Sequence, residues 1–122
     1  MANDNYLIYT AEFSGGFTLQ QKNRIDVGIP GYSASFIMQN DGNLVVYGNN
    51  GQAVWSSRTY GQNCSAGRCH MLMQSDGNLV VYNNAALWSS GTSGHPGAHL
   101  VILTAQPYLK IVDSAGVTIW NP

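Results

Sequence analysis

Gln39, Asp41, Asn43, Val45 and Tyr47 stand two residues apart along the chain, and Gln74, Asp76, Asn78, Val80 and Tyr82 repeat the same types at the same spacing thirty-five positions later. Side chains two residues apart share one side of an extended strand. An ionised carboxylate accepts hydrogen bonds, a carboxamide donates and accepts, and a phenol does both. With one apolar contact added, such a set suits a small polyhydroxylated ligand, whose neighbouring hydroxyls also donate and accept.

The other residues with chemical potential point away from catalysis. Glu12 is the only glutamate, and Asp41 and Asp76 occur in the same local context. No carboxylate pair therefore has the contrasting environments that glycoside hydrolysis needs. His95 and His99 enclose Pro-Gly-Ala, which indicates a loop rather than a metal pair, and no cysteine or carboxylate lies nearby in sequence. His70 follows Cys69 directly, so in a strand the two face opposite ways and make no nucleophile and base. The expectation is a protein that is not an enzyme and uses neither metal nor cofactor. Cys64 and Cys69 enclose Ser-Ala-Gly-Arg; they either close a small disulfide loop or stay as thiols. Asn63-Cys64-Ser65 fits the N-glycosylation pattern, which matters only for a secreted chain.

The elements that must position these groups are short strands. Ser35–Gln39, Leu44–Tyr47, Met71–Gln74, Leu79–Tyr82 and His99–Leu103 are apolar runs bounded by Gly, Asn or Asp. No amphipathic helical period is sustained, so the class is all-β. A two-residue turn at Asp41-Gly42 would pair Gln39 with Leu44 and put a polar and an apolar side chain on one face. A three-residue loop, Asn40-Asp41-Gly42 with Gly42 left-handed, pairs Met38 with Leu44 and Ile37 with Val45. Met38, Leu44 and Val46 then face the core, while Gln39, Asn43, Val45 and Tyr47 share the other side, with Asp41 reaching inward over the sheet. Trp55, Trp88 and Trp120 follow at intervals of 33 and 32 residues, which predicts three related sheets about a common core.

A third unit is visible but altered. Aligned by its distance to Trp120, it begins at Thr104, and the five key positions become Thr104, Gln106, Tyr108, Lys110 and Val112, none of them retained. Leu109 and Ile111 stay apolar, as packing requires. Pro107 replaces the loop glycine and cannot adopt a positive φ, so this turn must differ.

The 122 residues fit one domain, 1–122, with one modest core. Only 9% of the chain is charged, the net charge is −1, and the five Lys and Arg residues are scattered. No nucleic-acid track or anionic-membrane patch can be built from them. No stretch approaches the ~20 apolar residues of a membrane span. Met1-Ala-Asn-Asp lacks the basic and apolar regions of a signal peptide, so a soluble chain is expected, either cytoplasmic or the mature form of a secreted precursor.

The pattern Gln-x-Asp-x-Asn-x-Val-x-Tyr, twice intact and once degenerate, resembles the bulb-type lectins, the mannose-binding family typified by the snowdrop agglutinin. The likeness extends to the Asn5-Tyr-Leu-Ile-Tyr9 strand, the three tryptophans and the residues after Trp120. It implies a β-prism II fold, three four-stranded antiparallel sheets around a pseudo-threefold axis, and shallow, metal-free pockets for α-linked mannose. Asp41 and Asn43 would bond the axial 2-hydroxyl, Gln39 the 3-hydroxyl and Tyr47 the 4-hydroxyl, with Val45 against the C3–C4 face. Asp76, Asn78, Gln74, Tyr82 and Val80 would repeat these roles. Many plant members have a cysteine where Gly42 stands, bonded to the counterpart of Cys69; here Cys64 is the only other candidate. The resemblance further implies mannose-rich glycans and glycoproteins as partners, a homodimer, agglutination and a defence role. The rival reading is a protein of this fold that works through protein contacts without sugar.

Overall fold

The computed structural model describes residues 8–122, and in them every strand is antiparallel to its neighbours. The strands are β1 (Thr10–Phe13), β2 (Phe17–Gln20), β3 (Arg24–Ile29), β4 (Tyr32–Met38), β5 (Leu44–Tyr47) and β6 (Ala53–Ser56). They continue with β7 (Cys69–Met73), β8 (Leu79–Asn83), β9 (Ala85–Ser89), β10 (His99–Leu103), β11 (Leu109–Val112) and β12 (Thr118–Trp120). Three four-stranded sheets result, ordered β1-β10-β11-β12, β2-β7-β8-β9 and β3-β4-β5-β6. The strand expected at Asn5–Tyr9 falls mostly outside the described residues. Tyr9 itself is tied to Thr104 by two backbone-anchored hydrogen bonds, of 2.9 and 3.1 Å, just before β1 begins.

Strand alternation explains the packing. Each central hairpin sends four alternate side chains inward: Phe36, Met38, Leu44 and Val46; Met71, Met73, Leu79 and Val81; Leu100, Ile102, Leu109 and Ile111, all at 0% exposure. Burying a side chain of this size contributes about 1.5–3 kcal/mol, so the core rests on three near-equal contributions. The last strand of each sheet supplies a tryptophan, and the three rings meet edge to face with centroids 5.3–6.0 Å apart. In every sheet the pairing slips by one residue at the same place, between Val46 and Tyr47, Val81 and Tyr82, and Ile111 and Val112. The bulge leaves one extra residue on each tryptophan strand, Val54, Leu87 or Ile119, without a cross-strand partner.

The expected hairpin register holds: Met38 pairs with Leu44 and Ile37 with Val45, and Met73 pairs with Leu79 and Leu72 with Val80. Gly42 and Gly77 close the three-residue loops at φ 90° and 95°. The third hairpin is longer. Leu103 and Tyr108 bracket a four-residue loop, closed by Leu103 N–H donating to the Tyr108 carbonyl at 2.8 Å. The position equivalent to Gln39 is therefore Leu103, not Thr104, because the loop takes one extra residue that spacing from Trp120 does not reveal. With Pro107 in the loop, the positive φ passes to Tyr108 at 70°.

Cys64 and Cys69 are bonded, with Cα atoms 5.2 Å apart, and the bridge ties the Ser65–Gly67 turn to the start of β7. Alkylation without reductant should label neither cysteine, and reduction should expose both to mass-detected labelling. Loss of this short crosslink should cost about 2 kcal/mol of stability, read as a lower midpoint in urea.

Candidate functional site

Each intact motif lies on a hairpin and the loop that follows it. The turn begins with Asp41, whose Oδ1 accepts the backbone N–H of Asn43 at 3.0 Å; Asp76 does the same for Asn78 at 3.0 Å. This local bond explains an aspartate at the loop's second position, since a short carboxylate can bond the backbone two residues on. It also corrects the expectation that Asp41 reaches inward over the sheet: the side chain is exposed and uses one oxygen on its own turn. The second oxygen has no partner among the described residues.

Gln39 and Tyr47 face each other across the strands, and the Gln39 amide donates to the phenol at 2.5 Å. Gln74 and Tyr82 make the same bond. With the amide nitrogen on the phenol, each glutamine Oε1 has no partner among the described residues. Val45 and Val80 are only 3% and 2% exposed, a thin apolar floor rather than a prominent knob.

Asn43 is held from behind by residues that the strand pattern does not point to. Its Oδ1 accepts the Thr59 backbone N–H at 3.1 Å and the Ser57 hydroxyl at 3.3 Å. Thr59 donates its hydroxyl to the Gly42 carbonyl at 2.6 Å, so the single Ser57 hydrogen goes chiefly to Thr59 at 2.7 Å and reaches Asn43 only as the weaker branch of a shared bond. In the second copy Asn78 Oδ1 accepts from Ser90, Gly91 and Thr92 at 3.1, 3.0 and 3.2 Å, and Thr92 bonds the Gly77 carbonyl at 2.5 Å. A backbone N–H can only donate, so the atom it meets must be the amide oxygen. The NH2 of each asparagine is thereby left as a donor with no protein partner among the described residues. The signal was in the sequence: Trp55-Ser-Ser-Arg-Thr59 and Trp88-Ser-Ser-Gly-Thr92 repeat.

Ser57 also accepts the N–H of fully buried Leu44 at 3.0 Å. Ser57→Ala with Ser90→Ala should therefore do two things. Each leaves a buried donor unpaired, at about 1–3 kcal/mol in a urea titration. Each also removes the hydroxyl that steadies Thr59 or Thr92, whose backbone N–H holds the asparagine, and glycan binding should weaken about tenfold, equivalent to roughly 1.4 kcal/mol.

The third hairpin has none of this. Leu103, Val112 and Val101 pack into a small apolar cluster on its outer face, where the glutamine and tyrosine stand in the other two. Lys110 takes the valine position and Tyr108 the asparagine position.

The two intact pockets differ at their edges. His70 stacks on Tyr82, centroids 5.3 Å apart, with Nδ1 3.0 Å from the Arg68 carbonyl. Beside Tyr47 stands Ser35, bonded to Asp26, which Arg24 grips through its Nε and Nη2 at 2.8–3.2 Å. The Arg24 hydrogen bonds, and then that of Ser35, hold the Asp26 carboxyl below its ordinary value of 3.8. Any stability from this exposed pair is present above that value and is lost only in acid.

The remaining candidates fall elsewhere. His99 Nε2 lies 2.8 Å from Glu12 Oε1 across β1 and β10, and His95 sits in the exposed loop before β10. No cluster of three or more metal-ligating side chains occurs among the described residues.

Three four-stranded sheets around a tryptophan centre, with a repeated polar hairpin on the outside, define a β-prism II protein. Similarity to solved structures narrows the class. A monomeric mannose-binding lectin from the monocot Gastrodia elata superposes with a TM-score of 0.68 at 34% identity, over 93% of this chain and 94% of that one. The mannose-specific snowdrop (Galanthus nivalis) agglutinin, solved with methyl-α-D-mannoside, gives 0.62 at 34% identity, over 84% and 87%. The Polygonatum cyrtonema lectin, solved with a monomannoside, gives 0.64 at 29% identity, over 92% and 93%. No protein-family profile matches the chain, and no curated protein sequence does. The chain belongs to the monocot bulb-type lectin family, whose members are binding proteins rather than enzymes.

Proposed function

We propose that this lectin binds terminal α-mannose at two pockets per chain, without metal, and cross-links mannose-rich glycans and glycoproteins. The observation that carries the reading is the recurrence, in both hairpins, of one unspent set: a free Asp oxygen, an oriented Asn NH2, a Gln oxygen and a bridging Tyr. A carboxylate oxygen and an amide NH2 together offer a hydroxyl an acceptor and a donor. In this reading Asp41 and Asn43 take the 2-hydroxyl, Gln39 the 3-hydroxyl and Tyr47 the 4-hydroxyl over Val45. Asp76, Asn78, Gln74, Tyr82 and Val80 act alike. The apolar outer face of the third hairpin supplies no such set, which makes the valence two.

Each pocket is shallow. About four exposed hydrogen bonds at roughly 1 kcal/mol net each, less the cost of ordering a sugar, give a dissociation constant of order millimolar. Useful affinity then comes from effective concentration on a multivalent surface. A homodimer would double the valence. Light scattering at twice the chain mass supports the dimer, and a single-chain mass removes it. A glycan array competed with free methyl-α-mannoside tests the sugar reading. Signal confined to mannose-terminated glycans and lost to the competitor supports it; a protein-binding function without sugar leaves the array dark.

A further inference from the structure

The third hairpin differs from the others in a second way. Its loop, Gln106-Pro107-Tyr108, forms one wall of a cleft of about 830 Å3 whose other walls are Val54 and Trp55 of β6 and Asn121-Pro122. That volume lies within the ~300–1,000 Å3 of small-ligand sites. The cleft is separate from both motif pockets, none of whose ten side chains lines it.

Its chemistry is particular. Its aromatic lining residues are Trp55, part-buried against the other two tryptophans, and Tyr108; Pro107, Pro122 and Val54 are apolar, and no charged side chain lines it. Among the described residues, no hydrogen bond engages the Trp55 indole N–H, the Tyr108 phenol or the Gln106 and Asn121 side-chain amides. Buried side-chain polar atoms here all have partners, so these groups reach solvent. Tyr108 is held at φ 70°, a conformation unusual for a tyrosine, and that backbone is what carries it beside the cleft. Aromatic walls with a few unspent neutral donors and acceptors suit a ligand that has both a C–H face and hydroxyls, and they offer nothing to an anion or a cation beyond the rings.

We propose that this cleft is a second kind of saccharide site, which recognises a neutral pyranose by stacking rather than through a carboxylate. A β-linked gluco- or galacto-configured ring fits best, because its unbroken C–H face lies flat on an aromatic ring and its equatorial hydroxyls point outward to Gln106 and Asn121. An axial 2-hydroxyl, for which the motifs offer an aspartate, finds no side-chain carboxylate here.

Amide and indole NMR of the full chain, titrated separately with methyl-β-glucoside, methyl-β-galactoside and methyl-α-mannoside, tests it. The expected result is movement of the Trp55 indole and Tyr108 amide signals with one or both β-glycosides at millimolar concentration. Tyr108→Ala should weaken that response about tenfold, while Asp41→Ala with Asp76→Ala should leave it unchanged. Silence at Trp55 and Tyr108 up to high millimolar β-glycoside overturns the proposal, as does an equal response in Tyr108→Ala. A response to the mannoside alone overturns the assigned class. The mannose pockets are read in the same spectra through Asn43 and Asn78, so failure there is distinct from failure here.

Discussion

Asp41→Ala combined with Asp76→Ala should abolish binding to mannose-rich glycans while the prism stays folded. Both carboxylates are exposed, and each makes one bond within the protein, to the N–H two residues on. Losing such a bond costs about 0.5–1.5 kcal/mol per loop, a fraction of a domain's total of about 5–15 kcal/mol. The pocket, by contrast, loses its only charged acceptor. Hydrogen bonds to charged groups contribute about 1.5–3 kcal/mol, most of what a millimolar site has. Because avidity multiplies the two sites, removing both should take agglutination below detection. Array signal together with a thermal melt checks both halves. Mannose-inhibitable binding that survives would place recognition outside the two motifs.

Gly77→Ala should silence one pocket and destabilise the chain by about 3 kcal/mol. A Cβ on this residue would stand 2.5 Å from the His95 carbonyl oxygen and 2.9 Å from that of Thr92, both backbone atoms. Its φ of 95° adds strain for any L side chain. Relief requires the 92–98 loop to retreat, and that loop holds Asn78 through Thr92 and closes the Asp76 turn through the 2.9 Å bond from His95 N–H. Binding stoichiometry by calorimetry should fall from two mannosides per chain to one, alongside an earlier urea midpoint. Two full-strength sites in Gly77→Ala would show that the loop does not set the asparagine.

Much of this was legible because strand alternation is rigid. Met38, Leu44 and Val46 could point only one way once Gly42 was read as the third loop residue, and the tryptophan spacing could mean little besides repeated sheets. Two things escaped for physical reasons. The Leu103 position was displaced by one, since a loop insertion before Tyr108 leaves the later spacing to Trp120 intact. Ser57 and Thr59 went unremarked because they lie fourteen and sixteen residues from the asparagine they hold, in a loop with no periodicity to expose them. Their repetition after each of the first two tryptophans was the available clue.

The sheet ordered β1-β10-β11-β12 joins Thr10 to Leu103 and Phe13 to Leu100, from opposite regions of the sequence. Arrays of stacked repeats gain stability unit by unit, but here the repeats form a closed ring whose last gap is filled by the first strand. During synthesis β1 must wait, unpaired, until β10 emerges, so formation of that sheet is governed by long-range loop closure and is slow compared with local hairpins. A two-unit version would have an open edge and an exposed tryptophan pair. The hairpin without the repeated polar residues is thus the keystone, indispensable to the two that have them.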